Sequence, residues 1–191
     1  VALLAGDALL TLAFGKIAAG AEKGIYSYET AVKAVSALSE CAGYKGMIGG
    51  QAIDLSCEGQ TVGIDTVRHM DLLKTGELIK AACVMGCLAG GASEAEISAA
   101  SVYAEKIGLA FQVTDDILDV TGDLQTIGKL SGSDEENDKS TYVKLLGLDK
   151  CREYVNRLTC DALNMTEAFS YNREELKELA RVLKLKCGAG G

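Results

Sequence analysis

Apolar residues recur at helical spacing along nearly the whole chain. Residues 1–19 carry apolar side chains with Asp7 and Lys16 as the only charges, which predicts a helix buried on most sides. Residues 27–55 repeat the pattern. They open with Ser27 as N-cap and Thr30 at the third helical position, and no β-branched run alternates as a strand would. Residues 65–90 form a third helical stretch, bent near Lys74-Thr75-Gly76. Ser93 with Glu96 makes a capping box for a fourth helix running to about Gly122. The pattern then stops: residues 123–140 are polar and glycine-rich and read as a loop. Two more helices are predicted near 149–169 and 172–186. The first places Val155, Leu158, Ala162 and Met165 on one stripe. The second sets Leu176, Leu179 and Leu183 against the charged face of Glu174, Lys177, Glu178 and Arg181. No internal repeat, low-complexity segment or domain boundary interrupts the series. The expectation is an all-α fold, one domain across residues 1–191.

Composition sharpens this picture. Proline is absent from the 191 residues, which suits long uninterrupted helices, because an interior proline costs about 3 kcal/mol. Tryptophan is absent and aromatics are 5%, which argues against a β-sandwich or an RNA binder that stacks bases on aromatic rings. A net charge of −8 excludes a duplex nucleic-acid binder, which needs a basic face. No uninterrupted apolar run reaches the ~18 residues of a membrane span, so no span is expected. The apolar start lacks the basic region of a signal peptide. Seven scattered cysteines, no C-x-x-C and a single histidine, His69, fit neither a zinc site nor a disulfide framework. Reduced thiols and a cytoplasmic location follow as expectations.

The strongest chemical signal is Phe111-Gln112-Val113-Thr114-Asp115-Asp116-Ile117-Leu118-Asp119. Asp115 and Asp119 lie four apart and share a helix face, with Asp116 at its edge. Like charges at that spacing repel, and they sit where the helix dipole disfavours anions. The other sides of the stretch are apolar, so the acids point into a groove, where clustered carboxylates call for a hard divalent cation. A calcium-binding EF-hand loop starting at Asp119 would put Leu124 where glycine is needed and Leu130 where glutamate is needed, so that pattern fails. Magnesium fits better, because it takes one or two carboxylates, several waters and phosphate oxygens. Lys74, Lys129 and Lys139 each stand beside small polar residues near a break or loop, without forming a P-loop. Acids plus three lysines suit a phosphorylated ligand bridged by metal, which resolves how a chain of charge −8 accepts a diphosphate.

At these residues the sequence resembles the trans-prenyltransferases, the polyprenyl diphosphate synthase family. Its blocks appear in order: L-L-A-G-D-A-L at 3–9, G-G-Q-A-I-D-L at 49–55, K-T-G-E-L-I at 74–79, F-Q-V-T-D-D-I-L-D-V at 111–120, and G-K-L-S-G-S-D with K-S-T-Y at 128–142. The resemblance covers residues 1–186 and is nearest to the short-chain bacterial members that make farnesyl or geranylgeranyl diphosphate. It implies a helical bundle around a deep apolar cavity, a homodimer, Mg²⁺, and condensation of an allylic diphosphate with isopentenyl diphosphate. It implies Asp115 as a direct metal ligand, with Asp116 and Asp119 acting through waters. It also implies Lys74, Lys129 and Lys139 on the allylic diphosphate, and Thr75 and Gln112 with oxygens facing a carbocation. Gln51 and Asp54 match a block lining the same bundle, Asp54 with a structural role, and Asp7 likewise.

One departure accompanies the resemblance. The family carries a first aspartate-rich motif and paired arginines ahead of the L-A-G-D block, and no second D-D-x-x-D occurs among these residues. The expectation is a chain equal to the C-terminal two-thirds of a synthase, inactive alone. The alternative is a non-catalytic subunit of a hetero-oligomeric prenyltransferase, although such subunits usually lose the aspartates that this chain keeps. A class I terpene cyclase fits less well, because its second metal motif is of an Asn/Ser/Glu type.

Overall fold

The computed structural model describes residues 1–121, 139–170 and 173–188. The described residues are helical, with no strand among them. In chain order the helices are α1 (Ala2–Glu22), α2 (Tyr28–Ala42), α3 (Met47–Cys57) and α4 (Ile64–Asp71). A π-helical turn (Leu72–Gly76) leads into α5 (Glu77–Ala89). Then come α6 (Glu94–Thr121), α7 (Tyr142–Leu146), α8 (Leu148–Met165) with a 3₁₀ turn (Thr166–Ala168), and α9 (Arg173–Lys186).

The 28-residue α6 is the axis of the fold, covered by α5 on one side and α8 on another. Its buried residues run round most of its circumference, from Ala100, Tyr103 and Ala104 to Val113 and Ile117, as a helix enclosed by neighbours requires. Small residues let those neighbours approach. A Cβ on Gly108 would stand 2.9 Å from the Gly76 Cα, so α6 crosses the π-turn backbone against backbone. The main core joins Tyr103, Ile107, Val113 and Ile117 to Val155, Leu158 and Ala162 of α8 and to Leu183 of α9. A smaller cluster ties Leu38, Cys41 and Ala42 of α2 to Ala81 of α5, with Leu10, Phe14 and Ile17 of α1 packed on it.

The caps read from the sequence are present. The Ser27 hydroxyl accepts the Thr30 N–H at 3.0 Å. Ser93 and Glu96 exchange the reciprocal bonds of a capping box, at 2.8 and 3.3 Å. Glu96 also accepts the Ser170 N–H at 3.2 Å, which ties the start of α6 to the end of the 3₁₀ turn. All seven cysteines are free thiols.

Four expectations need correction. Residues 27–55 are not one helix: Gly43 to Gly46 break the run into α2 and α3. Helix α7 adds a turn that five residues are too few to announce by periodicity, although Thr141 caps it by accepting the Lys144 N–H at 3.2 Å. Helix α1 is not buried on most sides: Leu3, Leu4, Leu9 and Leu12 are exposed. The same helix corrects the membrane reading. Ala2–Glu22 is long and apolar enough to cross a membrane by length and composition, because an isolated Asp7 and Lys16 do not offset its leucines and alanines. None of that apolar window is buried, although Leu10, Phe14 and Ile17 pack on the smaller core.

Candidate functional site

Lys74, Lys139, Gln112 and Asp116 lie where α3, the π-turn, α6 and the segment leading into α7 meet. Lys74 and Thr75 lie inside the π-turn (Leu72–Gly76). The bend expected there is thus an extra residue wound into a continuous helix, a feature common at functional sites. A glycine seats it. Gly50 of α3 backs onto the Lys74 backbone so closely that any Cβ at position 50 would overlap it. The G-G-Q block therefore fixes Lys74 through a missing side chain, while Gln51 is exposed.

Asp54, one turn along α3 from Gly50, gathers two of the predicted lysines. Its Oδ2 accepts from Lys74 Nζ at 2.7 Å, and its Oδ1 lies 3.6 Å from Lys139 Nζ. Burial pushes the Asp54 carboxyl upward, but the Lys74 hydrogen bond and charge, with the Lys139 charge, outweigh it and hold the group below the usual carboxylate range. Lys139 is held there by its neighbours. Ser140 accepts the Val62 N–H at 3.0 Å, and the Tyr142 N–H donates to Asp116 Oδ2 at 2.7 Å, so the segment is anchored to the α3–α4 connection and to α6.

On α6, Gln112, Asp115 and Asp119 fall on one face at i, i+3 and i+7. Asp115 is exposed, and Asp116 and Asp119 are half-buried. Asp116 spends one oxygen on the Tyr142 backbone, so it anchors the segment that carries Lys139. Asp115 and Asp119, one turn apart with solvent access, have the donor chemistry of Mg²⁺, which keeps several waters and phosphate oxygens in its shell. No group of three metal-ligating side chains is assembled among the described residues, so any Mg²⁺ held here would take its remaining ligands from water and substrate. Lys129 lies outside the described residues. His69, the single histidine, is exposed on α4. Asp7 is exposed on α1, which leaves the structural role expected of it without support.

The structure adds two residues that the sequence reading passed over. Asp71, the last residue of α4, is only 6% exposed. Gln112 Nε2 donates to its Oδ1 at 3.3 Å. Desolvation pushes the Asp71 carboxyl up to about 6, against the opposing pull of Gln112, Lys74 and Tyr142. Tyr142 is fully buried, its hydroxyl turned toward Asp71 without completing a hydrogen bond, and burial with the Asp71 charge raises its pKa, so it stays neutral. A sequence signal for Asp71 existed: it lies four residues after Val67, which is 2% exposed, on the buried stripe of α4.

Comparison with known proteins shows the family. The polyprenyl synthetase family model matches residues 1–183, and the chain belongs to that family. It is 44% identical over 170 residues to a chloroplastic geranylgeranyl pyrophosphate synthase of Catharanthus roseus, covering 88% of this chain and 47% of that protein. It is 44% identical over 180 residues to the farnesyl diphosphate synthase of Escherichia coli K12, covering 94% of this chain and 56% of that one. The chain thus spans about half the length of these curated relatives. Among solved structures, an FPP/GFPP synthase of Zymomonas mobilis superposes with a TM-score of 0.79 at 33% identity, covering 95% of this chain and 60% of its own. A geranyltransferase of Helicobacter pylori, complexed with magnesium and isoprenyl diphosphate, superposes with a TM-score of 0.78 at 33% identity, covering 99% and 61%. These neighbours bear out the all-α isoprenoid-synthase bundle expected from the sequence.

Proposed function

We propose that the protein is a Mg²⁺-dependent prenyltransferase. It joins an allylic diphosphate, dimethylallyl or geranyl, to isopentenyl diphosphate and makes a C15 or C20 polyprenyl diphosphate. The observation that carries this reading is the pairing of Lys74 and Lys139 on one carboxylate, Asp54, in a chain of this family. Two lysines gathered on one carboxylate set two ammonium donors side by side, where a diphosphate can take them up. The allylic C–O bond breaks, and its electron pair leaves with pyrophosphate. The isopentenyl double bond attacks the allylic cation, and a proton is lost from the adduct to the pyrophosphate. No protein base is called for, consistent with a single, exposed histidine.

Magnesium, when bound, neutralises charge building on the departing oxygens; Asp115 would hold it directly, with Asp116 and Asp119 through waters. Lys74, Lys129 and Lys139 hold the diphosphate, and the oxygens of Thr75 and Gln112 face the cation. A second copy of the chain is the proposed partner, supported by the uncovered leucines of α1.

In a form of the protein that turns over, Asp115→Ala should lower Mg²⁺-dependent prenyl transfer by roughly 10²–10³-fold, with helical circular dichroism unchanged. Near-normal turnover would refute the metal role. Mg²⁺ with inorganic pyrophosphate should raise the melting temperature of the unsubstituted chain by mass action. Because the 191 residues hold one aspartate-rich motif where the family has two, we propose that they do not condense substrates alone. Turnover by a preparation with an intact mass of 20.0 kDa would overturn that.

A further inference from the structure

Asp71 is the only carboxylate among the described residues that is fully buried, and none of the chemical steps above uses it. A carboxylate removed from water is costly unless it is hydrogen-bonded, so its surroundings show what keeps it there. Three groups from three different elements face it. Gln112 of α6 donates Nε2 at 3.3 Å. Lys74 of the π-turn supplies a positive charge, and Tyr142 of α7 presents its buried hydroxyl. Among the described residues, Gln112 is the side chain that donates a hydrogen bond to it within 3.5 Å.

That bond has a directional consequence. An ionised carboxylate accepts hydrogen bonds and cannot donate them, whereas a glutamine amide has a donor end and an acceptor end. Rotating the Gln112 amide by half a turn would set its carbonyl oxygen against the Asp71 oxygen, two acceptors facing each other in a buried place. With Nε2 committed to Asp71, Oε1 is left to face the other way.

We propose that Asp71 is a positioning residue: its buried carboxylate takes the Nε2 end of Gln112 and thereby fixes the amide so that Oε1 is presented to the substrate groove. The catalytic meaning of that orientation rests on the function proposed above. The orientation itself rests only on the Asp71–Gln112 geometry.

Nuclear magnetic resonance of the ¹⁵N-labelled 191-residue chain tests it, with the Gln112 side-chain amide identified by its loss in Gln112→Leu. In the unsubstituted chain this amide should be shifted and protected from solvent exchange relative to the exposed amide of Gln51. Asp71→Ala should collapse it to the position of a free glutamine, and Asp71→Asn, whose carbonyl still accepts, should largely restore it. An exchange-labile Gln112 amide in the unsubstituted chain overturns the proposal, and this measurement requires no substitution at Asp71. A Gln112 signal unmoved in a folded Asp71→Ala chain overturns it as well. In a form of the protein that turns over, Asp71→Ala should lower kcat by roughly 10–100-fold with KM for isopentenyl diphosphate unchanged. Adding it to Gln112→Ala should cause no further loss, since the two residues act as one unit; additive losses would mean that Asp71 acts independently. If the spectra behave as expected while no form condenses prenyl diphosphates, the positioning stands and the proposed function falls.

Discussion

Two aspartates of this site show how the same side chain acquires opposite behaviour. Asp54 is shifted down because two lysines outweigh its desolvation, and Asp71 is shifted up because desolvation outweighs its partners. The native Asp71 carboxyl holds its proton up to about pH 6, whereas the unfolded chain releases it near 3.8. Between those values the native state binds more protons, so stability falls as pH rises through the window. The full cost, on the order of 3 kcal/mol for a shift of this size, is present at neutral pH. Asp71→Asn removes the titration and keeps an acceptor. The melting temperature of that variant relative to the unsubstituted chain should therefore be higher at pH 8 than at pH 4, and an equal difference at both values would contradict the shift. Asp54 runs the other way: its pairing stabilises the fold at neutral pH and is lost on acidification. Neither shift was legible in the sequence, because each depends on which lysines and how much protein surround the carboxyl.

At the level of elements, glycine contacts decide the geometry. Gly50 and Gly108 look like ordinary helix-weakening residues in the sequence. In the fold they let α3 reach the Lys74 backbone and let α6 reach Gly76. Gly50→Ala should cost about 1–3 kcal/mol by overpacking, read by denaturant unfolding, and should weaken pyrophosphate binding because Lys74 is displaced from Asp54. An alanine tolerated without loss of either would mean that α3 slides freely. The bend at Lys74-Thr75-Gly76 was visible from the glycine, but its form as a π-turn was not. A π-turn arises where an extra residue must be absorbed without unwinding the helix, and neighbouring helices impose that demand.

For the whole molecule, α1 carries the main disagreement between pattern and structure. Its inner side, Leu10, Phe14 and Ile17, packs on the smaller core, while Leu3, Leu4, Leu9 and Leu12 remain exposed. Burying each such side chain stabilises by roughly 1.5–3 kcal/mol, so these uncovered leucines make α1 a strong site for contact with further protein surface. If a second copy covers it, Leu4→Gln with Leu9→Gln should shift the sedimenting mass from dimer to monomer. A sedimentation profile the same as that of the unsubstituted chain would count against α1 as the contact. Within one copy these positions touch little, so each substitution should change subunit stability by under about 0.5 kcal/mol.

The sequence alone determined the all-α character, several helix ends and the acids that share one face of α6, because periodicity, caps and the spacing of acids along a helix are local properties. It also showed the family, through ordered blocks. Tertiary structure decided what depends on contacts between distant segments. These are the sharing of Asp54 between Lys74 and Lys139, the use of Asp116 as an anchor for Tyr142, the burial of Asp71 beneath Gln112, and the uncovered leucines of α1. Helical spacing gives the direction of a side chain round its own axis. What it meets there is set by the packing of helices whose partners lie tens of residues away.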